Sequence, residues 1–159
     1  MKNAALYLIR SDNWFVRNSL NFPLTTLLDI KLLILKIIQM SYYDKAKDIY
    51  DMLAQGKLLD AFDKYYHKDV VMVEATGETR KGKDANRKFQ TDFMGMIKEM
   101  HGTGVRSVTS NEKEAVTMVE SWMDVTMNDG KRQMMEEVAV QKWKDDQIIH
   151  ERFYYNMGK

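Results

Sequence analysis

Residues 116–144 read VTMVESWMDVTMNDGKRQMMEEVAVQKWK, two long runs of alternating apolar and polar residues on either side of Asp129-Gly130. A period of two is the mark of a strand with one buried face. An Asp-Gly pair between two such runs predicts a tight hairpin, because primed turns need positive φ. A two-residue turn pairs Asn128 with Lys131. Counting back then sets Asp124 against Met135, Trp122 against Glu137 and Glu120 against Ala139. Side chains alternate between the faces. One face therefore carries Met118, Glu120, Trp122, Asp124, Met135, Glu137, Ala139, Gln141 and Trp143. The other carries Val119, Ser121, Met123, Val125, Met134, Glu136, Val138 and Val140. A slip of one residue reverses every side chain on a strand.

Outward from this hairpin the pattern stays legible. Asp145-Asp146 marks a turn into a last strand over 147–156, and Val105–Ser110 is a strand before the pair. Upstream the period becomes 3.6. Asp84 is placed to cap a helix whose buried face carries Ala85, Phe89, Phe93, Ile97 and Met100, ended by Gly102 and Gly104. Val70–Glu74 is a short strand, and 75–82 a turn with a short return strand. Ser41 and Asp44 form a capping-box pattern before Ala46, Ile49, Tyr50 and Leu53, and Gly56 stops that helix. Leu58, Leu59, Phe62 and Tyr66 make a second short helix. The order is α-α-β-β-α-β-β-β-β, an α+β fold over 41–159.

The chain has 159 residues, which predicts one domain with a core large enough to stand without staples. It has no cysteine, so disulfides, thiol nucleophiles and cysteine-bound metals are excluded. Lys and Arg total 24 against 23 Asp and Glu, which argues against a dedicated nucleic-acid binder. These numbers predict a soluble, cytoplasmic protein. Residues 1–40 carry Lys2, Arg10, Arg17, Lys31 and Lys36 against Asp12 and Asp29. The Leu- and Ile-rich run over 24–40 is interrupted by charge, so a membrane span is not expected. Three readings of this extension stay open: a packed amphipathic helix, a weak surface anchor, or a start placed too early, with Met40-Ser41 the natural beginning.

The stretches MLAQGKLLDAFDKYYHKDVVMVEATG (52–77), TRKGKDANRKFQTDF (79–93) and VAVQKWKDDQIIHERFYY (138–155) resemble the SnoaL-like branch of the nuclear transport factor 2-like superfamily. The resemblance implies a curved sheet wrapped around three helices as a cone, with a ligand pocket at the open end and dimerisation through the outer sheet face. Relatives include cyclases, isomerases, dehydratases and non-catalytic modules. By similarity to ketosteroid isomerase, the general base falls on Glu74, while the oxyanion-hole positions fall on Ile49, beside Tyr50, and on Ala139. That similarity retains the carboxylate and loses the oxyanion hole.

The same resemblance turns the Ala139 face into the cone, and with it Ile149, Glu151, Phe153 and Tyr155. The expected chamber holds Glu74, Glu120, Glu137 and Glu151 among Tyr50, Phe93, Trp122, Trp143, Phe153 and Tyr155. Glu74, Glu137 and Glu151 are the candidate catalytic groups, since crowded carboxylates with apolar walls cannot all ionise cheaply. The alternative places these glutamates at the mouth or in ion pairs. The apolar opposite face predicts a homodimer. His67, His101 and His150 do not share a face at ligand spacing, so no metal is expected, and no cofactor motif occurs. The basic run Arg80-Lys81-Gly82-Lys83 with Arg87 and Lys88 is either an anion site or a solvated turn. Two functions remain: a small-molecule domain acting on an apolar or amine-bearing compound, as a lyase, isomerase or cyclase, or a non-catalytic binding or association module.

Overall fold

The computed structural model describes residues 40–156; the expectations for the extension before Met40 lie outside them. Two helices come first, α1 (Tyr42–Ala54) and α2 (Leu58–Tyr65), followed by β1 (Tyr66–Val73) and β2 (Thr79–Lys81). Then come α3 (Lys83–Met96), β3 (Ile97–Asn111), β4 (Val116–Met127), β5 (Arg132–Lys144) and β6 (Gln147–Tyr155). The element order is the expected one. The strands form a single six-stranded sheet in the order β2-β1-β6-β5-β4-β3. All pairs are antiparallel except β1 with β6. Bulges along β3 and between β5 and β6 break the ladder locally, and such breaks bend and twist a sheet. Among the described residues no helix is long and apolar enough to cross a membrane.

Local chemistry explains the helix ends. Ser41 Oγ accepts from the Asp44 amide at 3.1 Å, the expected N-cap. Glu112, in the turn after β3, accepts from the Tyr42 and Tyr43 amides and ties the start of α1 to the sheet. Gly56 takes φ 74° just past α1. The third helix is capped differently from expectation: Gly82, at φ 86°, takes the N-cap position and Asp84 sits in the first turn. Its one buried residue is Asn86, whose amide donates to the Gly82 carbonyl at 2.8 Å. Ile97 and Met100 belong to β3 rather than to the helix, because the long edge strand starts eight residues earlier than the valine pattern suggested.

The core joins Ala46 and Ile49 of α1, Ala61, Phe62 and Tyr65 of α2, and Val70, Met72, Val119, Ala139, Trp143, Ile148 and Phe153 of the sheet. It fixes which sheet face is inside, and here the register corrects the expectation. Thr126 pairs with Arg132, Ser121 with Glu137 and Val119 with Ala139, one residue away from the two-residue-turn count. The Met127 amide donates to the Lys131 carbonyl, and Gly130 stands at φ 85°. The loop is therefore Asn128-Asp129-Gly130, a three-residue hairpin with its glycine in the left-handed position. The two-residue primed turn lies instead at Asp145-Asp146, where both residues have positive φ.

Consequently β5 keeps its expected inner face and β4 is reversed. Val119, Ser121 and Val125 are buried, and Glu120 is exposed. The apolar face expected to lie outside splits: Val119 and Val125 are core, while Met134, Val138 and Val140 stay on the outer side. A bulge at Lys142–Trp143 likewise turns Ile148, not Ile149, into the core.

Candidate functional site

The inner face of the sheet is built in rows that run across the strands. Thr117, Gln141, Glu151 and Met72 are neighbours across β4, β5, β6 and β1. Val119, Ala139 and Phe153 form the next row. Ser121, Glu137 and Tyr155 form the one after it. From these rows Ser121, Glu137, Glu151, Phe153 and Tyr155 join α1, α2 and α3 in bounding a cavity of about 1130 Å³. Glu74, Glu137, Glu151, Tyr50, Phe93, Trp122, Phe153 and Tyr155 line it, so eight of the expected site residues come together.

Two expected lining residues, Glu120 and Trp143, stand elsewhere. Glu120 is exposed on the far face, as the register dictates. Trp143 is 4% exposed and packs in the core against Tyr42 and Tyr65. It belongs to the inner face but lies beyond the Gln141 row, below the space that stays open. Trp122 borders the cavity, yet its indole lies across Gly102 and Gly104, where an added Cβ would meet it at 3.1 and 3.0 Å. Alternation places that ring opposite to Ser121 and Met123.

The lower wall carries a directed chain of hydrogen bonds. The Trp143 indole N–H donates to Thr117 Oγ1 at 2.8 Å. The Thr117 hydroxyl donates to Gln141 Oε1 at 2.7 Å. The Gln141 amide donates to Glu151 Oε1 at 2.8 Å. The other oxygen, Glu151 Oε2, is buried without a hydrogen-bond partner. Burial pushes the Glu151 carboxyl up to about 7, with Glu137 and Glu74 adding like charge and Gln141 and Tyr66 opposing the rise. Glu137 is also pushed up to about 7, by burial first and by Glu74 second. Tyr50 and Tyr66 lie close to both carboxyls, and burial raises each phenol well above its ordinary range.

Glu74, just past β1, is occupied differently. It is ion-paired and hydrogen-bonded with Arg80. Its Oε2 accepts from the Tyr155 hydroxyl at 3.0 Å. The Arg80 guanidinium stacks on Phe89, 3.5 Å from the ring centroid. Two more members of the basic run are paired, Arg87 with Asp63 and Lys88 with Asp92, and Lys83 donates to the Asp63 carbonyl. A solvated turn with one buried arginine describes this segment, rather than an open anion site. Sequence reasoning missed Tyr66, Ser121, Thr117 and the inward role of Arg80. The alternation of β4 itself, with Val119, Met123 and Val125 as its apolar set, was the signal for Thr117 and Ser121.

Among solved structures, a candidate SnoaL-like polyketide cyclase from Mesorhizobium loti is similar at 31% identity. That match covers 73% of this chain and 100% of the other, with a TM-score of 0.65. A candidate polyketide cyclase from Pseudomonas putida shares the fold at 15% identity, covering 75% and 94% of the two chains with a TM-score of 0.65. A Catenulispora acidiphila protein with a ketosteroid isomerase-like fold, solved in complex with trimethylamine, shares it at 12% identity, covering 61% and 73% with a TM-score of 0.53. No curated protein matches the sequence. Residues 40–155 match the SnoaL-like domain, and with the cone and its row-built inner face in place, the chain belongs to that family.

Proposed function

We propose that the cavity binds a small, largely apolar molecule and that Glu137 and Glu151 move a proton on it. The observation that carries this is two carboxyls lining one open cavity, neither with a cationic partner, each titrating near neutrality. A group with a pKa near the working pH serves as both acid and base. The ionised member takes a proton from carbon, and the protonated member hydrogen-bonds the oxygen on which charge develops. Glu74, engaged by Arg80 and Tyr155, orders the upper wall. Isomerisation, elimination and cyclisation all begin this way, and the likeness to the Mesorhizobium loti protein favours cyclisation. The amine held by the Catenulispora acidiphila protein is consistent with an acidic chamber of this kind.

The test uses apolar ketones such as 4-phenylcyclohexanone in deuterated water, followed by proton NMR. The wild-type protein should accelerate exchange beside the carbonyl, and Glu151→Gln should slow it about 100-fold or more. Equal exchange in wild type, Glu137→Gln and Glu151→Gln would remove the proposal.

A second reading, an association module, draws on the outer sheet face. Met118, Met134 and Tyr154 are 45%, 54% and 52% exposed there, beside Val138 and Val140. An isologous dimer of the full chain would cover them. Light scattering should then give twice the 18.7 kDa chain mass, falling to one chain in Val138→Glu. A monomeric wild-type chain overturns this reading.

A further inference from the structure

Two buried acidic groups of the chamber, Glu137 and Glu151, have nothing of opposite sign beside them. Glu74, Glu136, Glu137 and Glu151 line the chamber, and among the described residues no lysine, arginine or histidine does. Glu74 and Glu136 are committed to guanidinium groups, Glu74 to Arg80, which also binds Glu78, and Glu136 to Arg106. The groups facing Glu137 and Glu151 are Tyr50 from α1, Tyr66 from β1, Glu74 beyond it, Ser121 from β4, Gln141 from β5 and Tyr155 from β6. None is cationic. Glu151 is 1% exposed and leaves Oε2 without a partner. A buried polar atom with no partner is costly, and a cavity-lining one invites a donor.

The remaining wall is apolar and aromatic, with Phe62, Phe89, Phe93 and Phe153 prominent. Resting on the reading of the cavity as a small-molecule site, we propose that its ligand class is an organic amine with an apolar body. It enters as the ammonium ion. The N–H groups meet Glu137 and Glu151 Oε2, and the rings enclose the hydrocarbon. A charge-assisted hydrogen bond in a low-dielectric chamber is among the strongest available, and aromatic faces favour a cation further. A neutral ligand makes no charge-assisted bond to the carboxyls, and an anionic one adds a like charge.

Three probes of equal body separate the possibilities: 3-phenylpropylamine, 3-phenylpropanol and 3-phenylpropanoate, titrated calorimetrically into the full chain at pH 8. The amine should bind at least tenfold tighter than the alcohol, and the carboxylate weakest. Glu137→Gln and Glu151→Gln should each shrink the advantage of the amine over the alcohol below threefold. Wild-type titrations at pH 7 in two buffers of different ionisation enthalpy need no variant. The ammonium should expel part of a proton from the carboxyl pair, and the alcohol should expel none. Alcohol binding as tight as amine binding, or an amine preference unchanged in both variants, overturns the amine assignment and keeps the small-molecule site. Absence of binding by all three probes overturns the site as well.

Discussion

The Trp143 indole donates to Thr117 Oγ1 at 2.8 Å, and that single contact orients everything up to Glu151. An indole N–H can only donate. Thr117 must then turn its hydroxyl proton toward Gln141 Oε1, and the amide must turn its N–H toward Glu151 Oε1. Oε2 is the oxygen left without a partner. Thr117→Val removes one acceptor and one donor from buried partners. We expect it to cost about 2 kcal/mol and to raise the Glu151 carboxyl further, since Gln141 is no longer held. Urea unfolding and carboxyl carbon-13 titration measure both. Wild-type stability in this variant would dismiss the chain of bonds as an organising device.

Stability should fall as pH rises from 5 to 8. Glu137 and Glu151 go from 4.5 unfolded to about 7 folded, so the native state holds protons that the unfolded state has released. Their contribution is fully present below pH 4.5 and is lost as pH rises through 7, by up to about 3 kcal/mol per carboxyl. Glu137→Gln should therefore match wild type at pH 5 and exceed its Tm at pH 8. A Tm that climbs across this interval contradicts the burial of the pair.

Arg80→Met removes the cation from Glu74 and its stacking on Phe89 while keeping an unbranched apolar stem. Breaking one side of a largely buried pair should cost about 3 kcal/mol. The double variant with Glu74→Gln should recover part of that loss, which a double-mutant cycle reads directly. Additive losses would mean that the two groups do not depend on each other.

Gly104→Ala places a methyl 3.0 Å from the Trp122 Nε1 position. The ring must move, at a cost of about 1–2 kcal/mol, and its fluorescence should shift to longer wavelength as it leaves the strand surface. An unchanged spectrum would show that the indole does not depend on the glycine pair.

Element order was legible because each segment carries its own period and stop signal. The inner face of β5 was legible from Ala139, Gln141 and Trp143. β4 was misread because the position of Asp129-Gly130 was allowed to outrank the strand's own pattern. A three-residue loop ending in glycine uses the same dipeptide as a two-residue one, and only the ladder beyond it tells them apart. Val119, Met123 and Val125 carry the stronger hydrophobic signal, and burial followed them. The partners of Glu74 were not legible, since Arg80 looks like any member of a basic turn until Phe89 and the bend after β1 bring it inward.

The side-by-side pairing of β1 with β6 has a kinetic consequence. Met72 and Glu151 are neighbours in space and 79 positions apart along the polypeptide. Contacts of such separation form late, after the entropic cost of closing the intervening loop. A ribosome must therefore release the final strand before the acidic chamber exists at all. Until then the helices and the first hairpin present their greasy undersides to water, or to a chaperone.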